Sequence, residues 1–257
     1  MKPKPKFTFY TTGLRKSDAV GEVIAINSII RDRIENFNFK DIPIVYGVLA
    51  GAGELMRKCR IARHPFVHID NGYFNPGYLT GYYRVTHNAH RVYHSKDSDP
   101  TRFNNLDIEL SPFRAGKYIV ICAPSELGCY ANPYEKLSVK EWIDCTIARV
   151  RKQTSSPIIV THKQGSKYTL KDVLDEANFV IGCSSNSVVE ALTNGIPAID
   201  AAPWVTNSLN YDDLVIDPIV PRYWTKRRQD YFYCLANNQF KLNEITQETL
   251  TNGYIRN

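Results

Sequence analysis

Nowhere in the 257 residues does an apolar run approach the ~18–20 residues of a bilayer span. No stretch reads as an amphipathic membrane anchor, and no membrane partner is expected. The opening residues, MKPKPKFTFY, are basic but carry no apolar h-region, so no secretory signal is expected. There is no C-x-x-C pair. The six cysteines (Cys59, Cys122, Cys129, Cys145, Cys183 and Cys234) stand apart, several in apolar runs. That pattern suits reduced, buried thiols of a cytoplasmic protein and argues against a structural zinc. Internal repeats and low-complexity tracts are also missing. With 43% hydrophobic and 23% charged residues, an ordinary globular protein remains.

Charge leans one way without being extreme. The net charge is +6 and the isoelectric point about 8.9. Basic residues cluster at Arg57, Lys58, Arg60 and Arg63, and again at Arg222, Lys226, Arg227 and Arg228. Each cluster is either a solvated helix face or a surface for a polyanion.

Apolar patterning sorts the chain into alternating strands and helices. Residues 6–10 and 44–49 read as strands, as does 65–69. Helical spacing runs from Ala19 to Glu35 through Val20, Val23, Ile24, Ile30 and Ile34. A basic helix follows Ala50-Gly51-Ala52-Gly53. Residues 94–116, rich in Asp, Asn, Ser and Pro, read as a linker. Beyond it come strands at 117–123, 157–161, 178–181 and from 198, with helices at 138–152, 169–176 and 186–194. Ser138 with Glu141 forms a capping-box pattern, and Gly195 closes the 186–194 helix. One or two helices are expected from Thr225 onward. The expected fold is α/β: two Rossmann-like lobes with parallel sheets around a cleft, residues 1–110 and 111–257, the terminal helices belonging to the second.

The stretch GCSSNSVVEALTNGIPAI, residues 182–199, sits where a strand ends and a helix begins. One cap needs one small polar residue, yet four stand in a row from Ser184 to Ser187. A helix start offers N–H donors and partial positive charge, which suit a phosphate. The order Asn186-Ser187-x-x-Glu190-Ala-Leu-x-x-Gly195-x-Pro197 resembles the donor motif of glycosyltransferases with two Rossmann-type domains, the GT-B group. The resemblance implies a nucleoside-diphosphate sugar, a UDP-sugar for instance, as co-substrate and no other cofactor. It implies that Ser185, Asn186 and Ser187 hold the donor phosphates and that Glu190 binds the ribose hydroxyls. Two departures stand out: Gly182-Cys183-Ser184-Ser185 precedes the Asn, and Asp200-Ala-Ala-Pro203-Trp204 replaces an acidic-Gln pair. Lys163, at the end of strand 157–161, is a candidate to neutralise the departing diphosphate in place of a metal.

The first half then carries the acceptor and the base. Val67-His68-Ile69-Asp70-Asn71-Gly72-Tyr73-Phe74 runs from a strand into a turn with two aromatics. Asp70, at the strand's carboxyl end, is the expected general base; His68 and Glu54 are its competitors. D-x-G-Y-F followed by Tyr82-Tyr83-Arg84-Val85-Thr86 is similar to proteins of tailed bacteriophages, some of which glycosylate 5-hydroxymethylpyrimidines such as 5-hydroxymethylcytosine in DNA. That resemblance implies double-stranded DNA as partner, a host-cytoplasm location, and an acceptor bound by Tyr73, Phe74, Tyr82 and Arg84, with the target base flipped out. A transferase of capsule or envelope polysaccharide synthesis, or a non-catalytic nucleotide- or DNA-binding module, is the alternative. Asp97-Ser98-Asp99 forms a D-x-D, but it ends no apolar strand and reads as loop, so no metal site is expected.

Overall fold

The computed structural model describes residues 5–88, 98–126, 138–162, 168–183, 185–200 and 221–255. Two compact units emerge. The first takes residues 1–92, 130–133 and 235–257; the second takes 93–129 and 134–234.

In the first unit, β1 (Phe7–Thr11), α1 (Arg15–Ala25), β2 (Ile30–Arg33), β3 (Ile42–Tyr46), α2 (Ala52–Ile61), β4 (Val67–Asn71) and β5 (Tyr82–His87) follow in order. The chain returns at its end with β10 (Gln239–Lys241) and α8 (Gln247–Ile255). The sheet order is β10-β5-β4-β3-β1-β2. β1 to β4 are parallel, and β5 is antiparallel to both of its neighbours, β4 and β10. The expected parallel sheet holds from β1 to β4, and β5 adds an antiparallel strand toward this edge. Aromatic-rich 82–87 was legible as a cluster of donors but not as a strand.

The pleat places alternate residues on opposite faces, and the two faces differ in chemistry. Phe7, Phe9, Ile44, Val67, Ile69, Tyr83 and Val85 build an apolar core with Val20 and Ile24 of α1 and Leu250 of α8. On the other face Tyr10 and Val45 pack with Ala52, Leu55, Met56 and Cys59 of α2. The same face turns polar toward β4, β5 and β10, where His68, Arg84, Thr86 and Gln239 are buried. Gln239 binds this edge together: its Oε1 accepts from the amides of Tyr73 (3.0 Å) and Phe74 (2.9 Å).

Helical spacing misled at residues 19–35. α1 stops at Ala25, and Ser28 takes a left-handed φ of 62°. Asn27 instead donates to the carbonyls of Leu242 and Ile245. Ile30 then pairs in β2, and Ile34 opens a short 3-10 turn.

The second unit holds α3 (Thr101–Asn104), β6 (Tyr118–Cys122), α4 (Val139–Arg151), β7 (Ile158–Thr161), α5 (Leu170–Leu174), β8 (Ala177–Gly182), α6 (Asn186–Thr193), β9 (Ala198–Asp200) and the greater part of α7 (Pro221–Asn237). Its sheet is parallel throughout, in the order β7-β6-β8-β9. This is the Rossmann-like pattern that strand–helix alternation implied. Both halves of the Ser138–Glu141 capping box form.

Two stretches lie elsewhere than the sequence suggested. The described part of the expected linker, from residue 98, holds α3 and packs into the second unit. Ser111 donates to Thr193 O (3.0 Å) and Arg114 to Gly195 O (2.9 Å). The boundary expected at 110 thus differs from the division at 92, and the terminal residues assigned to the second lobe join the first unit from residue 235. His87 Nε2 contacts Leu250 O at 3.1 Å there.

Gly195 is required twice over: its φ is +72°, and a Cβ would lie 2.0 Å from Pro112 O. Gly195→Ala should lower stability by well over the ~1 kcal/mol of left-handed strain alone. Urea unfolding of both proteins measures this, and an unchanged midpoint would contradict the account.

Candidate functional site

In the second unit the chain leaves β6 through α4 to β7 on one side and comes back through α5 to β8 on the other. The strand order therefore reverses between β6 and β8. Ligands of open α/β sheets bind beyond the carboxyl ends at such a point. Cys122 and Gly182 are those two ends.

α6 starts four residues beyond Gly182. Ser185 caps it, its Oγ accepting from Ser187 N at 3.2 Å. Gly182 lets the first turn sit directly on the strand end, for a Cβ would meet Val188 Cγ2 at 2.7 Å and Ser187 Oγ at 3.1 Å. The Ser187 hydroxyl faces the Cys122 thiol, whose pKa burial pushes up although Thr161 and Ser187 oppose this. Cys122 is therefore a neutral packing group rather than a nucleophile. Ser185, Asn186 and Ser187 are half-buried, and Glu190 is exposed one turn along. Four expected donor residues are thus brought together at the switch point by one short helix. Lys163, like Ser184, Asp97, Pro203 and Trp204, lies outside the described residues. Asp200 is fully buried opposite Gly182.

In the first unit Asp70, one residue before the end of β4, stands directly opposite Arg84 of β5. Arg84 Nη2 donates to Asp70 Oδ2 at 2.7 Å, and the two side chains are 6% and 25% exposed. Asp70 Oδ1 accepts from Asn71 N at 2.8 Å. Burial alone would raise the Asp70 carboxyl, but Arg84, His68 and the Asn71 amide together hold it below its ordinary value. It is a carboxylate at neutral pH, anchored on one oxygen by a buried guanidinium. His68 is fully buried, its pKa lowered to about 3 mainly by desolvation, so it is neutral and out of reach of an acceptor. Glu54 is engaged by Arg57 at 2.9 Å.

The expected acceptor residues fare differently. Tyr73 and Phe74 are buried, their amides held by Gln239, so neither ring can stack on a ligand in this structure. Arg84 is committed to Asp70 and lies 5.5 Å from the Tyr73 ring centre. Only Tyr82, half-buried with Lys241 5.6 Å from its ring, keeps a partly open face. Arg228, expected in a basic surface cluster, is buried instead. Its Nη1 donates to Ser111 O (2.7 Å) and Leu192 O (3.1 Å), with Phe113 4.3 Å away. It caps the end of α6 rather than a phosphate. Asp99 accepts from Thr101 N at 2.9 Å, so its carboxylate is engaged by the first residue of α3. Among the described residues no group of three His, Cys, Asp or Glu could hold a metal.

Sequence reasoning passed over Lys16, Tyr46, Asn71 and Tyr78, which gather at the carboxyl edge of the first sheet. Their common feature is positional: Lys16 lies in the first turn of the helix after β1, and Tyr46 ends β3.

No family model matches the chain, and no curated protein matches it. Among solved structures it is similar to KpsC of Thermosulfurimonas dismutans, a beta Kdo 2,4 transferase, at 11% identity over 98% of each chain, with a TM-score of 0.48.

The ion pair makes a pH prediction. Asp70→Asn leaves Arg84 buried without its counter-charge and should cost about 2–3 kcal/mol at neutral pH. Because the folded carboxyl titrates below the ordinary range, the wild-type advantage is complete above about pH 4 and fades as pH falls through the folded value. Chemical denaturation of both proteins between acid and neutral pH checks this; a gap independent of pH would refute it.

Proposed function

We propose that the chain is a glycosyltransferase taking its sugar from a nucleoside diphosphate, a UDP-sugar being the first to test. The observation that carries this is the seat of N-S-x-x-E-A-L-x-x-G-x-P at the switch point of a parallel sheet, with Gly182 drawing the helix start onto the strand. A diphosphate fits the helix start, and the Glu190 carboxylate can accept from two vicinal ribose hydroxyls.

In the reaction the bond from the anomeric carbon to the phosphate oxygen breaks, and the nucleoside diphosphate leaves with the electron pair. The acceptor oxygen bonds to that carbon, and its proton passes to a base. Asp70 is proposed for that base because it is ionised at neutral pH and partly open at a strand end. Ser185, Asn186, Ser187 and Lys163 are proposed to stabilise the leaving diphosphate, with no metal required.

The finer proposal for the acceptor is a 5-hydroxymethylpyrimidine of double-stranded DNA. What supports it is the net charge of +6 and the exposed Lys58 and Arg63 near the end of α2. Burial of Tyr73 and Phe74 removes two stacking platforms and favours the rival, a saccharide of capsule or envelope synthesis. Transfer from UDP-glucose to hydroxymethylated DNA, plain DNA and oligosaccharides, each over a range of salt, separates them. Phosphate-bound DNA should be lost steeply as salt rises.

Glu190→Ala should raise the donor dissociation constant about 10- to 100-fold, the size of a lost hydrogen bond to a charged group. Calorimetry with UDP and UDP-sugars measures it; unchanged affinity in the folded variant removes Glu190 from the site. Turnover should also survive EDTA. Loss on chelation with recovery on adding Mg²⁺ or Mn²⁺ would overturn the metal-free mechanism.

A further inference from the structure

At the carboxyl edge of the first sheet a cation stands without a carboxylate. Lys16, in the first turn of α1, donates from Nζ to Asn71 Oδ1 at 2.8 Å. Its Nζ lies 5.4 Å from the Tyr46 ring centre and 6.0 Å from that of Tyr78. Tyr46 Oη donates to the same Asn71 oxygen at 3.3 Å. No Asp or Glu among the described residues pairs with Lys16. Contrast Arg57, Arg84 and Lys140, each of which meets a carboxylate. An ammonium held by one amide oxygen and two aromatic faces keeps most of its charge for a ligand.

The surroundings suit a hydroxylated ring. Asn71 spends its carbonyl on Lys16 and Tyr46, leaving its Nδ2 donors for a hydroxyl. Tyr78 is 49% exposed, and Leu14 and Leu49, in the loops after β1 and β3, are likewise exposed. The strand order reverses between β1 and β3, so these loops flank the point where open α/β sheets take ligands.

We propose that Lys16, Tyr46, Asn71 and Tyr78 form a subsite for an anionic saccharide, the Lys16 ammonium pairing its carboxylate or phosphate while Tyr78 covers the ring and Asn71 donates to a hydroxyl. That this ligand is the acceptor rests on the glycosyltransferase reading in its saccharide form, not its DNA form; that it binds rests on neither.

The test is therefore binding, not turnover. The full ¹⁵N-labelled chain is titrated with glucuronate, glucose 6-phosphate, glucose and a short thymidine oligonucleotide, following amide resonances of Lys16, Gly47, Asn71 and Tyr78. Shifts with glucuronate or glucose 6-phosphate, and far smaller ones with glucose, are expected; the two anions distinguish a carboxylate from a phosphate ligand. Lys16→Met should weaken that binding about tenfold or more, and Lys16→Arg should keep it. Tyr78→Ala, at an exposed side chain, should weaken it without lowering the melting temperature. No shift with either anionic sugar, equal response to glucose, or unchanged binding by Lys16→Met overturns the subsite. Preferential response to the oligonucleotide also overturns it, in favour of nucleic acid. Binding with no transfer from any sugar nucleotide would leave the subsite standing and count against the glycosyltransferase reading alone.

Discussion

A guanidinium buried in a sheet needs its counter-charge within hydrogen-bond reach, and this requirement organises the first unit. Arg84 is 6% exposed, and the carboxylate that meets it comes from the residue directly across the ladder, Asp70. Shifting β5 by one residue would send Arg84 to the apolar face and strand the charge among Phe7, Ile44 and Ile69. The ion pair thus opposes slippage of β5 against β4. β10 continues the same polar face, because Gln239 stands opposite Arg84 and holds the Tyr73 and Phe74 amides. The turn between β4 and β5 and the returning end of the chain are set by one buried polar layer.

That layer also determines what Asp70 can do. A carboxylate with one oxygen on a guanidinium stays ionised but is a weaker base than one left to solvent. Its advantage is orientation, since the carboxylate is fixed at the strand end instead of rotating freely. Loss of activity in an Asp70 variant would mix chemistry with stability, so the parallel measurement of folding is part of reading any such variant.

Where physics is local, the sequence was readable. β8, α6 and β9 lie within a residue or two of expectation because apolar runs, the Ser185 cap and the Gly195 stop all act within a few positions. The Ser138–Glu141 box is of the same kind. Failures came from contacts distant in sequence. The break after α1 depends on Asn27 reaching Leu242 and Ile245, and nothing near residue 27 announces a partner more than two hundred positions away. β5 carries Tyr82, Arg84 and Thr86 on a buried face, so its polarity hid a strand whose charge is neutralised by β4. Tyr73 and Phe74 look available in a Gly-containing turn until Gln239 is seen to hold them in.

Charge shows the same lesson in a form that bears on function. The composition suggests a surface for polyanions, yet several cations that suggested it are already used. Arg84 answers Asp70, Arg57 answers Glu54, and Arg228 spends its guanidinium on the carbonyls of Ser111 and Leu192. A buried cation that serves carbonyls contributes little to attracting a distant phosphate, because its field is met locally and its donors are taken. The cations that matter for a ligand are those whose donors are still directed outward. Lys16 is of this kind: it is set among neutral groups at the end of a sheet where the chain reverses its strand order. Counting available donors, rather than residues, leaves the exposed Lys58 and Arg63 near the end of α2 and adds Lys16 at the carboxyl edge of the sheet.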